Sequence, residues 1–145
     1  MKEFEDYRVS VEIIIKKDNQ ILLTKRSSDC KVAPNRWCVP AGKVKYEEIP
    51  TVACKREAME EVQMDVNLVK ELCVRAFKSF DNEVDRNITY RLVFTFLVEI
   101  IGEQEDPILN NEHSEFCWVT LDELKNTKFD SMRSSLKKIL LDINF

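Results

Sequence analysis

The sequence predicts an α/β fold in which a mixed β-sheet is flanked by helices, and three observations support this. Apolar and polar residues alternate near the N-terminus and again between residues 68 and 100, which is typical of strands. A segment at about 50–62 begins with Pro50, a residue suited to the first turn of a helix. Near the C-terminus, apolar residues return at helical spacing and indicate a second helix packed on the sheet.

The first elements are predicted to be a hairpin and a short strand. Alternation predicts a first strand with one buried face, formed by Val9, Val11, Ile13 and Ile15. Turn residues at 17–20 and an apolar restart at 21–24 predict the second strand of the hairpin. A polar loop at 27–36 then leads to a short strand around 37–39, and the first helix is expected at about 50–62.

The second half of the chain continues this pattern. Strands are predicted at about 68–80 and 88–100, joined by the polar stretch 81–87, and a short strand at 116–119 follows a loop at 102–114. Thr120 and Glu123 have the spacing of a capping box, which predicts a short helix from that point. The final amphipathic helix is predicted from Met132, Leu136, Ile139, Leu140 and Ile143.

Length and composition favour a single domain, residues 1–145. A chain with 44% hydrophobic and 33% charged residues is typical of a globular protein. Its net charge of −4 argues against a nucleic-acid or membrane partner, although it is compatible with a local basic cleft. No apolar run approaches the roughly 20 residues that cross a bilayer, and the start MKEFEDYR lacks the apolar region of a signal peptide. We therefore expect a cytoplasmic protein.

The cysteines and the single histidine argue against several kinds of site. The five cysteines, at 30, 38, 54, 73 and 117, form no C-x-x-C pair, so neither a zinc site nor a disulfide framework is predicted. Free, buried thiols in a reducing cytosol are expected instead. Because His113 is the only histidine, a histidine-rich metal centre is excluded, and oxygen ligands are the natural alternative.

Three carboxylates lie together on the predicted first helix. Glu57 and Glu61 are four residues apart and Glu57 and Glu60 are three apart, so their side chains project together and repel one another. A hard divalent cation such as Mg²⁺ would relieve this repulsion, since it takes oxygen ligands and is commonly shared with substrate phosphates. A solvated acidic face is the alternative for such a pattern taken alone.

The wider spacing around these carboxylates resembles the Nudix box, G-x5-E-x7-R-E-U-x-E-E-x-G-U. The matching positions are Gly42, Glu48, Arg56, Glu57, Glu60, Glu61 and, at the apolar last position, Met64. The preceding residues 37–44, WCVPAGKV, are similar to the W-x-x-P-G-G-K-V sequence that is common before the box in this family. The resemblance implies an α/β/α sandwich with a mixed central sheet.

Departures from the family pattern concern loop geometry. Gln63 stands where the family usually has glycine, so either a left-handed helix end costs about 1 kcal/mol or the helix ends differently. Ala41 replaces the first glycine of a pair, where a positive φ would be strained. Lys45 and Glu47 replace a common acidic residue and a common glycine. None of these changes removes a carboxylate, so they bear on substrate choice more than on activity.

By resemblance the protein is a Mg²⁺-dependent pyrophosphohydrolase, with Mn²⁺ as a substitute cation. Nudix enzymes split a nucleoside diphosphate linked to another group, and metal ions neutralise the phosphates and activate water. The ligands implied are Glu57, Glu60 and Glu61, with the main chain at Ala41 and Gly42 and with Glu48 as further candidates. Arg56 would orient the carboxylates, and Glu57 is one candidate for the general base.

A second candidate base lies in the loop before the 116–119 strand. Glu112 and Glu115 precede residues 118–124, which resemble a W-V-x-L-x-E-L segment of the family. We favour Glu115 as the catalytic residue, because a residue next to a strand is held more firmly than one in mid-loop. Two exposed surface acids are the alternative.

Arginines are the candidate ligands for substrate phosphate. Arg26, at the end of the second predicted strand, resembles an arginine that binds phosphate in some relatives. Arg36 and Arg91 are further candidates, and an ordinary surface charge is the alternative for each of the three.

The expected function is hydrolysis of a small nucleotide, with conversion of a (d)NTP to its monophosphate favoured, because residues 25–43 are closer to the MutT-like branch than to other branches. ADP-ribose or nucleotide-sugar hydrolysis is the alternative within the enzyme class. A non-catalytic, nucleotide-sensing module is the alternative outside it, although retention of every box carboxylate favours an enzyme. A monomer or a homodimer is expected.

Overall fold

The computed structural model describes residues 7–82 and 87–143. Its strands are β1 (Tyr7–Lys17), β2 (Gln20–Arg26), β3 (Trp37–Cys38), β4 (Ala41–Lys43), β5 (Val66–Asn82), β6 (Asn87–Ile100) and β7 (His113–Val119). Its helices are α1 (Pro50–Val62) and α2 (Ser134–Leu141), with 3₁₀ turns at Glu123–Lys125 and Thr127–Phe129. No helix within these two segments is long and apolar enough to cross a membrane.

The seven strands described form one mixed sheet in the order β3-β2-β1-β6-β5, with β4 paired to β1 and β7 paired to β2. β1 and β6 run parallel, whereas the other pairings described are antiparallel. Parallel neighbours need a long crossover connection, and the chain between β1 and β6 includes α1. The predicted mixed sheet is confirmed.

The core has two layers, one on each face of the sheet. α1 covers a cluster that includes Val11, Ile13, Ile15, Leu22, Phe96 and Val98. α2 and the 3₁₀ turns cover a second cluster that includes Ile14, Ile21, Leu23, Trp37, Leu97, Leu136 and Leu140. A fully buried aliphatic or Phe side chain stabilises a fold by roughly 1.5–3 kcal/mol, so both layers are substantial. The α/β/α sandwich is confirmed.

β1 differs from the predicted strand with a single buried face. Ile13 and Ile15 pack under α1, but Ile14 between them is also fully buried, on the α2 side. β1 lies in the middle of the sheet, with β6 on one side and β2 and β4 on the other, so helices or turns cover both of its faces.

β4 is a strand that the sequence does not predict, because three residues are too few to show alternation. β1 and β2 pair only beside their turn, at Lys16–Ile21 and Lys17–Gln20. Farther along β1, β4 takes the place of β2 and pairs with residues 10–12. The sheet therefore opens between β2 and β1, and the chain that links β3 to β4 lies in the opening.

α1 has the bounds that the sequence predicts, and its end resolves the question about Gln63. The helix begins at Pro50 and is followed by Gln63 in the left-handed conformation, with φ 53° and ψ 41°. The Gln63 N–H donates to the carbonyl of Met59 at 3.1 Å. Glutamine thus adopts the backbone conformation that favours glycine.

Gln63→Gly is expected to raise the free energy of unfolding by up to about 1 kcal/mol. Glycine removes the steric strain of a left-handed φ, although part of the gain is lost because the unfolded chain becomes more flexible. Denaturant unfolding measures the change. Lys55→Gly, at an exposed position inside the same helix, is the matched control and should lose about 1 kcal/mol. A clear loss of stability in Gln63→Gly would contradict this account of the helix end.

The C-terminal part departs from the predicted elements. β7 begins at His113 rather than at 116, because it continues along β2 as far as Arg26. The capping box is formed, since the Glu123 N–H donates to Oγ1 of Thr120 at 3.2 Å. It opens a 3₁₀ turn rather than an α-helix, and α2 is only eight residues long.

All five cysteines are free, but the expectation of buried thiols holds only for Cys54. The other four are partly exposed. Burial raises the pKa of the Cys54 thiol to about 12, which keeps it uncharged and unreactive.

Candidate active site

A cleft of about 660 Å³ lies beside β4. It is lined by residues of α1, of the sheet and of the loops that precede β3, β7 and α2. The acidic residues in its lining include Glu57, Glu60, Glu61 and Glu112. The arginines in its lining are Arg8, Arg26, Arg36, Arg91 and Arg133. One cleft therefore offers both carboxylates for a cation and guanidinium groups for anions.

Glu57 packs directly against the backbone of Gly42 in β4. A Cβ atom placed on Gly42 would overlap the carboxyl group of Glu57. The φ of Gly42 is not positive, so the backbone conformation does not call for glycine here. Gly42 is needed because any side chain would occupy the space of the Glu57 carboxylate.

Glu61 lies at the bottom of the cleft and is only 5% exposed. Its Oε2 accepts a hydrogen bond from the Ala41 N–H at 3.0 Å and lies 3.3 Å from Nε2 of His113. Burial raises the pKa of Glu61, an effect that His113 and the Ala41 N–H partly offset. Burial acts to lower the pKa of His113, but its interactions with Cys38 and Glu61 raise that pKa to about 9. Glu61 therefore favours the protonated form of the imidazole.

Arg56 connects three carboxylates of the motif. It donates to both oxygens of Glu48, at 2.7 and 2.8 Å, to Glu57 at 2.9 Å and to Glu60 at 3.1 Å. A further bond to the carbonyl of Lys43, at 2.9 Å, attaches this group to the end of β4. Such a network holds the carboxylates in place more firmly than an isolated surface ion pair.

Glu48 is occupied by this network rather than directed into the cleft. Its hydrogen bonds with Arg56 and with the Lys45 N–H lower its pKa to about 2. Both of its oxygens are used, and it does not line the cleft. The structure thus brings Glu57, Glu60 and Glu61 together with β4 but leaves Glu48 behind Arg56.

Burial opposes the negative charge of the two inner carboxylates, Glu57 and Glu61, and the cations beside them offset this effect only in part. Burial raises the pKa of Glu57, and repulsion from Glu61 and Glu60 adds to this effect, while Arg56 acts in the opposite direction. Glu61 is more deeply buried still. A hard divalent cation fits these carboxylates, since it prefers oxygen ligands and adds positive charge to that of Arg56 and His113.

Of the two late-loop acids, the structure brings Glu112 to the cleft and leaves Glu115 outside it. A carboxylate oxygen of Glu112 lies within 4.8 Å of the ligand atoms of Glu61 and His113. Glu115 instead forms an ion pair with Lys25 at 3.2 Å, with 56% of its side chain exposed. Lys25 and Glu115 are partners across the β2–β7 ladder, and this pairing keeps Glu115 on the outer surface.

All three predicted phosphate ligands line the cleft. Arg26 is anchored by a bond from its Nε to the carbonyl of Val32, at 2.9 Å. The backbone of Arg36 accepts a bond from the Arg26 N–H at 2.9 Å, which holds the two arginines together at the mouth of the 27–36 loop. Arg91 approaches from β6.

Sequence reasoning missed two further arginines of the cleft, Arg8 and Arg133. Arg8 lies directly opposite Arg91 in the parallel β1–β6 pair, a relation that appears only once the register is known. Arg133 precedes α2 and lies over the ring of Phe77, with its Cζ 4.9 Å from the ring centroid. No local sequence signal marks this contact, because the two residues are far apart in the chain.

The φ angles of Ala41 and Glu47 show whether these two departures from the family pattern strain the backbone. Ala41 belongs to β4 and has no positive φ, so the strain considered for it is absent. Glu47 does adopt a left-handed φ, 63°, at the position where the family commonly has glycine.

Comparison with known proteins agrees with this fold. The NUDIX domain family matches residues 6–142. The chain is 26% identical to a dihydroneopterin triphosphate diphosphatase of Haemophilus influenzae, covering 99% of this chain and 93% of the relative. It is 31% identical to an 8-oxo-dGTP diphosphatase of Buchnera aphidicola, covering 88% of each. A solved structure of a MutT Nudix hydrolase from Burkholderia pseudomallei superposes with a TM-score of 0.75 at 23% identity, covering 97% of this chain and all of that one.

The chain belongs to the Nudix family, and the two relatives described above are diphosphatases, a class of enzyme that hydrolyses phosphoric anhydrides. It is a Nudix pyrophosphohydrolase, an enzyme that acts on a pyrophosphate bond. The alternative of a non-catalytic sensing module is therefore not retained.

Proposed function

We propose that this enzyme hydrolyses a small nucleoside triphosphate, a (d)NTP in the simplest case, to the monophosphate and pyrophosphate. The observation that carries the proposal is that the α1 carboxylates and several arginines line the same cleft. Two relatives named for triphosphate substrates, dihydroneopterin triphosphate and 8-oxo-dGTP, support this class. ADP-ribose or a nucleotide sugar is the alternative substrate.

The proposed cofactor is Mg²⁺, with Mn²⁺ as a substitute. Glu57, Glu60 and Glu61 would hold it, with the main chain of Ala41 and Gly42. When bound, such a cation neutralises phosphate charge and lowers the pKa of a bound water. The support is that burial raises the pKa of both Glu57 and Glu61 even though Arg56 and His113 lie beside them, so a further cation would stabilise their charged forms.

Arg56 acts in this proposal as a positioning residue. Its bonds to Glu57 and Glu60 hold these side chains toward the cleft, and its two bonds to Glu48 hold the guanidinium itself. Glu48 is therefore proposed as the anchor of Arg56 rather than as a ligand.

In the proposed reaction, water attacks a phosphorus atom of the anhydride, and the bond from that phosphorus to the bridging oxygen breaks. The proton from water passes to a carboxylate, for which Glu57 and Glu112 are the candidates that line the cleft. Arg26 would bind phosphate oxygens of the anhydride, since a guanidinium group matches phosphate geometry with two parallel hydrogen bonds. Holding the phosphates and the carboxylates in one orientation supplies much of the rate enhancement.

A substrate panel tests the proposal. The four NTPs, the four dNTPs, ADP-ribose and a nucleotide sugar are each incubated with enzyme and Mg²⁺, and all phosphate-containing products are separated and identified. Release of pyrophosphate from a triphosphate supports the proposal. If only ADP-ribose or the nucleotide sugar is cleaved, the proposed triphosphate substrate is wrong and the alternative substrate class takes its place. Removing divalent cations with EDTA should abolish turnover, and added Mg²⁺ should restore it.

Glu112→Gln is expected to lower turnover by about 100-fold if Glu112 is the general base. In that case the Mg²⁺ concentration for half-maximal activity stays the same, whereas a shift in it would identify Glu112 as a ligand. Glu115→Gln is the matched control and should behave like the wild type, because Glu115 is paired with Lys25 outside the cleft. Wild-type turnover in both variants would leave Glu57 as the base, and a loss confined to Glu115→Gln would reverse the preference for Glu112.

The proposed setting is the cytoplasm, with the enzyme as a monomer or a homodimer. Five free cysteines are in keeping with a reducing compartment. Light scattering of the purified enzyme distinguishes the two assemblies.

A further inference from the structure

One end of the cleft carries a cluster of four arginines that we name the basic end: Arg8, Arg36, Arg91 and Arg133. The whole chain has a net charge of −4, so this local cluster of positive charge is opposite in sign to the net charge of the protein. A basic patch inside a cleft raises the local concentration of anions. The basic end is therefore suited to binding an anionic ligand.

The register of the sheet builds the floor of the basic end. Arg8 of β1 lies opposite Arg91 of β6, and Arg91 lies opposite Phe77 of β5. Directly paired residues point to the same face of a sheet, so the three side chains form a row. β4 and β6 lie on opposite sides of β1, and Arg91 pairs with Arg8 whereas the end of β4, Lys43, pairs with Ser10. Arg91 is therefore roughly 12 Å from the β4 backbone, two strand spacings to the side and two residues along the strand.

Phe77 holds Arg133 over this row. The Cζ of Arg133 is 4.9 Å from the centroid of the Phe77 ring, within the range of a cation–π contact. Arg75 approaches the same ring, at 5.7 Å, but its charge is neutralised by an ion pair with Glu12. Glu12, which also lines the cleft, is thus already engaged by another arginine.

Two of the four arginines of the basic end, Arg36 and Arg133, are the ones whose positive charge is least balanced by described protein groups. Among the side chains that the structure describes, those of residues 7–78 and 90–143, no carboxylate forms an ion pair with either of these arginines. Burial lowers the pKa of Arg133, and the positive charges of Arg36 and Arg91 lower it further. A bound anion would relieve this repulsion, and phosphate suits the guanidinium group through paired hydrogen bonds.

We infer that the basic end binds a second phosphate group of the substrate, separate from the phosphates cleaved beside α1. The inference rests on the proposed function, because it assumes that the cleaved phosphates lie against the carboxylates of α1. A nucleoside triphosphate that also carries a 3′-phosphate has this chemistry. So does a 5′-triphosphate dinucleotide, whose 3′ group is a phosphodiester.

The kinetic test compares three substrates with one base: a nucleoside 5′-triphosphate, its 3′-phosphorylated form and the corresponding 5′-triphosphate dinucleotide. The wild type is expected to show at least about tenfold higher kcat/KM for a substrate with the additional phosphate, through KM rather than kcat. Arg133→Gln should bring the ratio of kcat/KM with the additional phosphate to kcat/KM without it close to one. Lys138→Gln removes an exposed charge on α2 and should leave this ratio unchanged. Preference for the 3′-monoester or for the dinucleotide identifies the source of the phosphate. Equal kcat/KM for all three would overturn the inference.

A binding measurement keeps the inference independent of turnover. Calorimetry without added metal compares a nucleoside 3′,5′-bisphosphate with the 5′-monophosphate of the same base. Tighter binding of the bisphosphate, by about tenfold and lost in Arg133→Gln, supports the basic end even if no triphosphate in the panel is hydrolysed. Equal affinities, in an enzyme that does hydrolyse triphosphates, would remove the inference and leave the proposed function intact.

Discussion

Replacing Glu61 with glutamine is expected to lower turnover by at least about 100-fold while the protein stays folded. The amide keeps the size of the side chain and can still accept the hydrogen bond of the Ala41 N–H, but it loses the charge that holds a cation. Steady-state turnover at several Mg²⁺ concentrations measures the effect, and circular dichroism checks the fold. Glu57→Gln should show a loss of similar size, because Glu57 is the other mostly buried carboxylate beside β4, with 12% of its side chain exposed.

The control for this prediction is Glu99→Gln, an exposed position on β6 outside the cleft. It removes the same charge and should leave turnover within about twofold of the wild type, as exposed substitutions usually do. A Glu61→Gln enzyme with near wild-type turnover at limiting Mg²⁺ would overturn the metal assignment. A fall in turnover that excess Mg²⁺ fully restores would support it.

Gly42→Ala is expected to cost about 100-fold in turnover without removing any functional group. The new Cβ would overlap the carboxyl group of Glu57, so that carboxylate must move away from its place beside β4. The backbone itself tolerates alanine, because the φ of Gly42 is not positive. Turnover should therefore fall far more than stability, and both can be measured on one preparation.

The other glycine of the chain supplies the matched control. Gly102 has a φ of 90°, and no heavy atom lies within 4 Å of the position that a Cβ would take there. Gly102→Ala should therefore cost stability, about 1 kcal/mol, and leave turnover unchanged. Combining Gly42→Ala with Glu57→Asp tests the mechanism further, since the shorter side chain leaves room for the new methyl group and should recover part of the activity. Wild-type turnover in Gly42→Ala would show that the position of the Glu57 carboxylate is unimportant.

The site was predictable where its residues are close in sequence. Arg56, Glu57, Glu60 and Glu61 lie within two turns of one helix, so helical periodicity alone brings them together. Gly42 was predictable as a member of the motif, but the reason for glycine, the contact with Glu57, depends on how β4 packs against α1.

The choice between Glu112 and Glu115 shows where sequence reasoning reaches its limit. A residue next to a strand is held firmly, but this does not say toward which face it points. The pairing of β7 with β2 places Glu115 opposite Lys25, and the register shift beside it allows His113 to face Glu61. A shift of one residue in a strand exchanges its two faces, and no local pattern in a short polar segment determines that register.

By itself, the sequence determined the α/β class, the bounds of α1 and the carboxylates that the helix carries, because these follow from periodicity and from contacts within a few residues. The α/β/α sandwich was predicted from the resemblance to the Nudix family. Only the tertiary structure decided that β4 replaces β2 beside β1, that Glu48 anchors Arg56 and that Arg8, Arg91 and Arg133 meet in one cleft. The physical reason is that these relations depend on strand register and on packing between segments far apart in the chain. Such contacts form only when the whole sheet assembles, so local preferences carry little information about them.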